Sequence, residues 1–336
     1  MVLKDGVILT IAGTSDYGPC LNSWNAWLGK SDLRAIRWKP KKLEARTKNA
    51  LRPAAGGSQA KRGRQKAVER QRRVIFNDDM YELNRKWSNT AEGLLKGRLK
   101  PLVGTHVDTI SFSVIEADAP VYNSKVQPIY GDAHGGPPPY WPNITANIKA
   151  LAKAGQCPIQ IVTDFAHENG MESWAHVRMN DTHDSFIKGW LSNWKNEHRE
   201  FWVKSPDDSG TKDQHPLGLY KSALDFTHKE VRDRKCEIIE EVSERYDIDA
   251  FELNYIRHPV LFSNTMRGRP VTAEEVQIMT DLHRRMTDEA AAKRGRPILL
   301  AVRVPDSLKL AMNIGLDVKT WVKEDLVDIV TDGAFT

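Results

Sequence analysis

Trp174, His176, Arg178 and Asn180 recur at every second position, and Ala175, Val177 and Met179 fall between them. Side chains alternate across a strand, so an extended chain here puts an imidazole, a guanidinium and an amide on one face and apolar groups on the other. Asp181, Thr182, His183 and Asp184 follow at once. Burying Arg and His is costly unless they are paired or used, which makes this strand end a candidate site. A polar strand end closed by an Asx-type turn is the plainer alternative. The segment Asp249 to Pro259 repeats the pattern. Phe251, Leu253 and Tyr255 share one parity, Glu252 and Asn254 the other, and Arg257 follows. A carboxylate facing an enclosed lumen suits an acid, a nucleophile or a hydroxyl ligand; an internal Glu–Arg pair is its structural use. Arg303 shares the parity of Ala301 ahead of Asp306, and Asn77, Asp78 and Asp79 end the run Val74-Ile75-Phe76.

These polar positions fall at the ends of strands that alternate with helices. Thr90 is a candidate N-cap for a helix carrying Leu94, Leu95 and Leu99. Asn143 caps a helix with Ile144, Ile148 and Leu151, and Thr227/Glu230 and Thr272/Glu275 have the spacing of capping boxes. Strands are expected over 74–76, 107–115, 172–180, 250–256, 298–304 and 327–330. Such alternation predicts a parallel sheet with crossover connections. No G-x-G-x-x-G follows the first strand and no G-x-x-x-x-G-K-[ST] occurs, so nucleotide-binding folds lack their signature. Polar residues alternating inside the strands favour a closed barrel over an open sheet covered on both faces. The fold class expected is α/β, a (β/α)8 TIM-type barrel, complete or short of its last two strands, with a site at the strands' C-terminal ends.

Charge divides the chain. Its 336 residues carry a net +5, yet residues 30–73 hold 16 Lys/Arg against 3 Asp/Glu, leaving −8 for the rest. With few large apolar residues, that stretch predicts a flexible basic extension over 1–72, ahead of a barrel domain over 73–336 with a long insertion at about 185–226. No aromatic platform is interleaved with the basic residues, so a nucleic-acid partner is not expected. No apolar run approaches 18 residues, so no membrane span is expected. Asp5 precedes the apolar run Val7–Ile11, which reads as a strand rather than a signal peptide. The three cysteines, Cys20, Cys157 and Cys236, are far apart. A cytoplasmic location is expected on these grounds, or a secreted or periplasmic one if the N-terminus is not native.

At the fourth strand the chain resembles the glycosyl-hydrolase-like (β/α)8 barrels of bacterial polysaccharide-utilising proteins, whose pattern there is D-G-I-x-F-D-x-x-R-x-P. Asp249, Arg257 and Pro259 match it, and Arg178 to Asp184 is similar to the third strand of one such group. Asn254 stands where the family pattern has the Asp expected to act as nucleophile. The resemblance implies hydrolysis of O-glycosidic bonds in a poly- or oligosaccharide by paired carboxyl groups. Glu252, Asp306 and Asp181 are the candidate catalytic residues. Asn77, Asp78, Trp174, His176, Arg178, Asn180, His183, Asn254, Arg257 and Arg303 are the candidate contacts to a neutral or anionic carbohydrate. Trp190, Trp194 and Trp202 are further candidates for stacking on sugar faces. It also implies that Asn254→Asp raises activity. No cofactor and no metal are expected. A non-catalytic carbohydrate-binding barrel is the alternative from another class, and a metal-dependent hydrolase using His176, Asp181, His183 and Asp184 is a third.

Overall fold

The computed structural model describes residues 58–204, 220–292 and 298–333. The Val7–Ile11 strand and most of the basic extension lie outside the described residues, as does part of the long insertion. Helix α1 (Ser58–Val68) leads into strand β1 (Val74–Asp78), a short helix α2 (Ala91–Lys96) and strand β2 (Val107–Ser113). A two-stranded hairpin follows, β3 (Ile115–Glu116) and β4 (Ala119–Pro120), then helices α3 (Asn143–Lys153) and α4 (Pro158–Glu168) and strand β5 (Glu172–Arg178). The insertion carries α5 (Asn193–Glu197). Helix α6 (Lys229–Arg245) precedes β6 (Ala250–Asn254), and α7 (Ser263–Met266) and α8 (Ala273–Ala292) precede β7 (Leu299–Pro305). Helices α9 (Leu308–Asn313) and α10 (Val318–Lys323) lead to β8 (Ile329–Gly333).

Six strands form one parallel sheet in chain order, β1-β2-β5-β6-β7-β8. An order with no reversal is that of a barrel wall. The sheet also curls. Four strand spacings separate β1 from β7, about 19 Å if the sheet were flat, yet Arg303 Nη2 on β7 donates to Asn77 Oδ1 on β1 at 3.1 Å. The expected (β/α)8 barrel is thus seen as a six-stranded half-barrel among the described residues.

Residue parity explains the two sides. Val177, Phe251, Leu253, Tyr255, Leu300 and Val302 point outward and join the core beneath α6, α8 and α10. The Thr272–Glu275 capping box forms, with Glu275 N on Thr272 Oγ1 at 3.1 Å and Thr272 N on Glu275 Oε2 at 2.7 Å. Thr90 Oγ1 accepts from Gly93 N as expected. The Thr227/Glu230 box does not form: α6 starts after His228, and Thr227 instead donates to Asp225 Oδ1. Asn143 opens α3 from its first turn, while its side chain bonds Asn84 O at 2.9 Å.

The N-terminal end of the lumen is a sealed floor. Ile75, Trp174, Ala250, Leu299 and Ala301 fill it from inside, with Ala67 and Val68 packed beneath. The stretch from Ser58 to Arg72, grouped by charge with the extension, lies against this floor. Arg72 makes a bidentate pair with Glu172, at 2.6 and 2.8 Å, and sits over the Trp174 ring. Arg64 is bidentate on Asp328.

Candidate active site

Glu252 lies at mid-height in the lumen, fully buried. Ser111 donates to its Oε2 at 2.6 Å, Arg303 grips both oxygens, and Thr331 reaches Oε1 at 3.3 Å. Burial opposes its charge, but Arg303, then His176 and the Ser111 hydroxyl, hold the carboxyl below its ordinary range. Its oxygens are all in use. The partner is Arg303 and not Arg257, because β6–β7 register sets Arg303 beside Asn254. Through Arg303 the pair connects upward: Arg303 to Asn77 Oδ1, then Asn77 Nδ2 to Asp79 Oδ1 at 3.0 Å.

Asp79, the next inward position after Asn77, stands at the mouth. It is partly exposed, and Arg178 Nη2 lies 3.0 Å from its Oδ2. Burial acts to raise this carboxyl, but Arg178, His176 and Asn77 prevail and hold it well below the ordinary carboxylate range. Asp78 has the opposite parity. It is buried behind β1, 3.7 Å from Arg98, and burial pushes its carboxyl up to about 7. Asp78, expected to face a ligand in the lumen, therefore faces away from it, and its neighbour Asp79 faces in.

Arg178 gathers three carboxyl groups. Besides Asp79, its Nη1 donates to Glu116 Oε1 at 2.6 Å and reaches Asp181 Oδ2 at 3.3 Å. Glu116 comes from the hairpin β3–β4, whose turn residues Ala117 and Asp118 have φ of 46° and 60°. Two positive φ values are what a tight two-residue hairpin turn demands, and a non-glycine residue there costs about 1–2 kcal/mol. The turn is held by its surroundings. Ala117 N donates to Asp181 Oδ2, His134 Nε2 meets Ala117 O at 3.0 Å, and the Asp118 carboxylate faces Arg234 and Lys235. This strained turn suspends Glu116 over the lumen, fully buried, with its Oε2 bonded to nothing among the described residues. Burial pushes the Glu116 carboxyl up to about 8, against the pull of Arg178. Other buried atoms without partners among the described residues include His176 Nδ1 and Arg178 Nε.

Asp181 closes an Asx turn, accepting from His183 N at 3.0 Å and His183 Nδ1 at 2.7 Å. Burial would raise it, but His183, His258 and Arg178 hold it well below its ordinary range. One ligand atom from each of Asp181, His183 and His258 lies within 4.8 Å of the others, the spacing of a cation site. Arg257 Nη2 lies 3.1 Å from His183 Nε2. A guanidinium only donates, so Nε2 keeps its lone pair and the proton sits on Nδ1, facing Asp181. That nitrogen has no lone pair to offer a metal, and Arg178 and Arg257 add positive charge beside it. The donor set fits a hydrogen-bonded relay. The four-residue metal set considered from sequence is not brought together: Asp184 pairs with Lys195 at 2.9 Å, and His176 bonds Asn254.

Other expected contacts lie elsewhere. Asn180 spends its amide on Leu224 and Val260 backbone, tying two loops together. Trp174 belongs to the floor. Trp190 is buried against Trp141 and the His183 ring, while Trp194 stacks with Arg234 and Trp202 with Arg199. The exposed rings beside the relay are Phe186, 5.5 Å from the His183 ring, and Tyr140, 5.7 Å from Trp190. Asp306 is exposed on the loop after β7. A surface cleft of about 410 Å³ along α9 and α10 includes none of these residues. No helix among the described residues is long and apolar enough to cross a membrane.

No family model matches the chain, and no curated protein does. Solved structures do. The structural neighbours are glycoside hydrolases. Alpha-L-fucosidase isoenzyme 2 from Paenibacillus thiaminolyticus aligns at 14% identity and a TM-score of 0.45, over 73% of this chain and 34% of that one. The glycoside hydrolase domain of PgaB (BpsB) from Bordetella bronchiseptica aligns at 12% and 0.45, over 76% and 72%. An alpha-amylase from Lactobacillus plantarum gives 14% and 0.39, over 72% and 46%. The chain spans about a third of the fucosidase and under half of the amylase. At these values the likeness says nothing of residue roles or substrate.

Proposed function

We propose that the mouth of the half-barrel hydrolyses O-glycosidic bonds of a poly- or oligosaccharide, with Glu116 as the acid and Asp79 as the ionised carboxylate. One observation carries this. Two carboxyl groups share the Arg178 guanidinium, and their surroundings push them apart, Glu116 toward its neutral form by burial and Asp79 toward its charged form by Arg178. Glycosidic cleavage needs that division of labour: a protonated carboxyl delivers a proton to the departing oxygen, while a carboxylate attacks the sugar carbon or activates water. The unbonded Glu116 Oε2 is the oxygen available to hold the transferable proton. Arg178 Nε offers a further donor to substrate oxygens. Phe186 and Tyr140 supply apolar faces at the rim, where sugar rings can stack. In this scheme Glu252 and Asp181 buttress the site: one anchors Arg303 and the line to Asp79, the other holds His183 and the hairpin turn.

The test is release of new reducing ends from a panel of purified polysaccharides by the full chain and by Glu116→Gln and Asp79→Asn. Turnover on at least one glycan, lost in both variants, is expected. As the general acid must be protonated, the rate should fall as pH rises through about 8. Equal turnover by wild type and Glu116→Gln would remove Glu116 from the role. No turnover on any glycan would remove the reaction.

A further inference from the structure

Position 254 holds an amide where the family pattern suggests a carboxylate, and its contacts give that amide a use of its own. Asn254 Oδ1 faces two backbone donors, Ile256 N at 3.0 Å and Arg257 N at 3.3 Å. An N–H can donate only to an acceptor, so the side-chain oxygen is fixed on that side and Nδ2 on the other. Nδ2 lies 3.1 Å from His176 Nε2. An amide nitrogen only donates, so Nε2 must keep its lone pair, and the single proton of a neutral imidazole goes to Nδ1. His176 is fully buried, its Nδ1 has no partner among the described residues, and the nearest carboxylate oxygen is Asp79 Oδ1 at 3.9 Å.

We propose that Asn254 is a positioning residue that locks His176 as an Nδ1–H ring facing Asp79 across 3.9 Å, so that the carboxylate has a neutral N–H beside it and not a second cation. This rests on the role given above to Asp79. The charged groups around the ring are Glu252, Arg303, Asp79 and Arg178. Burial, the largest influence, holds the ring neutral at physiological pH, with an apparent pKa of about 4. An aspartate at 254 would still accept from the two backbone N–H groups, but its second oxygen would face Nε2 and call for a proton there. The ring would then turn a lone pair toward the Asp79 carboxylate, or take up a second proton beside Arg178. Asn254→Asp is therefore expected to lower turnover on any substrate found, the reverse of what the family pattern implies.

The tautomer can be read without a substrate. Full chain labelled with ¹⁵N-histidine gives side-chain ¹H–¹⁵N correlations, and the His176 signals are those missing from His176→Gln. The lock predicts a proton on Nδ1 and none on Nε2, unchanged from about pH 6 to about pH 8. It also predicts that Asn254→Asp moves the proton to Nε2 or yields a doubly protonated ring. A wild-type ring protonated on Nε2, or an imidazolium at neutral pH, overturns the lock, as does an Asn254→Asp spectrum identical to wild type. If Asn254→Asp fails to fold, the wild-type spectrum decides alone. An Nδ1–H ring in a protein that cleaves no glycan upholds the lock and counts only against the hydrolase.

Discussion

The floor and the mouth of the same lumen each hold an arginine gripping a carboxyl group, and they treat it differently. At the floor Glu172 is gripped by Arg72 at two points and touched by Thr109 and the Trp174 indole, and none of these four has a buried polar atom left without a partner among the described residues. At the mouth Glu116, His176 and Arg178 each keep one buried polar atom unbonded there. A buried polar group without a partner costs about 1–3 kcal/mol, and the Ala117–Asp118 turn that holds Glu116 adds backbone strain. The polar residues at the floor satisfy one another; at the mouth Glu116 on its strained turn, and His176 and Arg178 on β5, each keep bonding capacity in reserve.

Substitutions at the two ends should separate stability from activity. The largest loss is expected between them, where Arg303 pairs with Glu252 at mid-height. Arg303→Ala leaves Glu252 as an uncompensated buried charge and should destabilise the fold by about 3–5 kcal/mol, read by urea unfolding. Glu116→Gln should lower turnover by about 10²–10⁴, with an unfolding midpoint close to wild type. A large drop in stability would move Glu116 to the structural side of the comparison. At the floor, Arg72→Ala should destabilise by about 1–3 kcal/mol by leaving Glu172 short of a partner, with turnover by the folded fraction unchanged. The last substitution, at Asp78, should show only in the pH dependence of stability. The fold raises this carboxyl from 3.8 to about 7, so its contribution is intact below its unfolded value and is lost as pH rises through about 7. Asp78→Asn should therefore make the decline in melting temperature between about pH 4 and about pH 7 shallower, while leaving turnover alone. An unchanged slope would mean that Asp78 ionises freely.

Much of the lumen was legible because parity is a local rule. Trp174, His176, Arg178, Glu252, Asn254 and Arg303 all face inward as alternation predicts. The same rule, applied from Ile75 through Asn77, points to Asp79 and away from Asp78, since adjacent residues cannot share a face. Partners were not legible. Arg257 is nearer Glu252 in sequence than Arg303, and only strand register reveals which guanidinium meets the carboxylate. Glu116 gave no signal at all. It lies on a two-residue strand, and its turn, Ala117-Asp118, lacks the Asn-Gly or Asp-Gly that marks such hairpins. Helix α4 also passed unnoticed, although Pro158, Ile161, Val162, Phe165 and Ala166 recur at helical spacing.

The difference between floor and mouth rests most heavily on the protonation of Glu116. Full chain labelled with ¹³C at glutamate carboxyls and titrated by NMR would report it, with Glu116→Gln identifying the resonance. A carboxyl that stays neutral through physiological pH and ionises near about 8 is the predicted result. Ionisation in the ordinary carboxylate range would make Glu116 one more satisfied partner of Arg178 and would contradict its assignment as the acid.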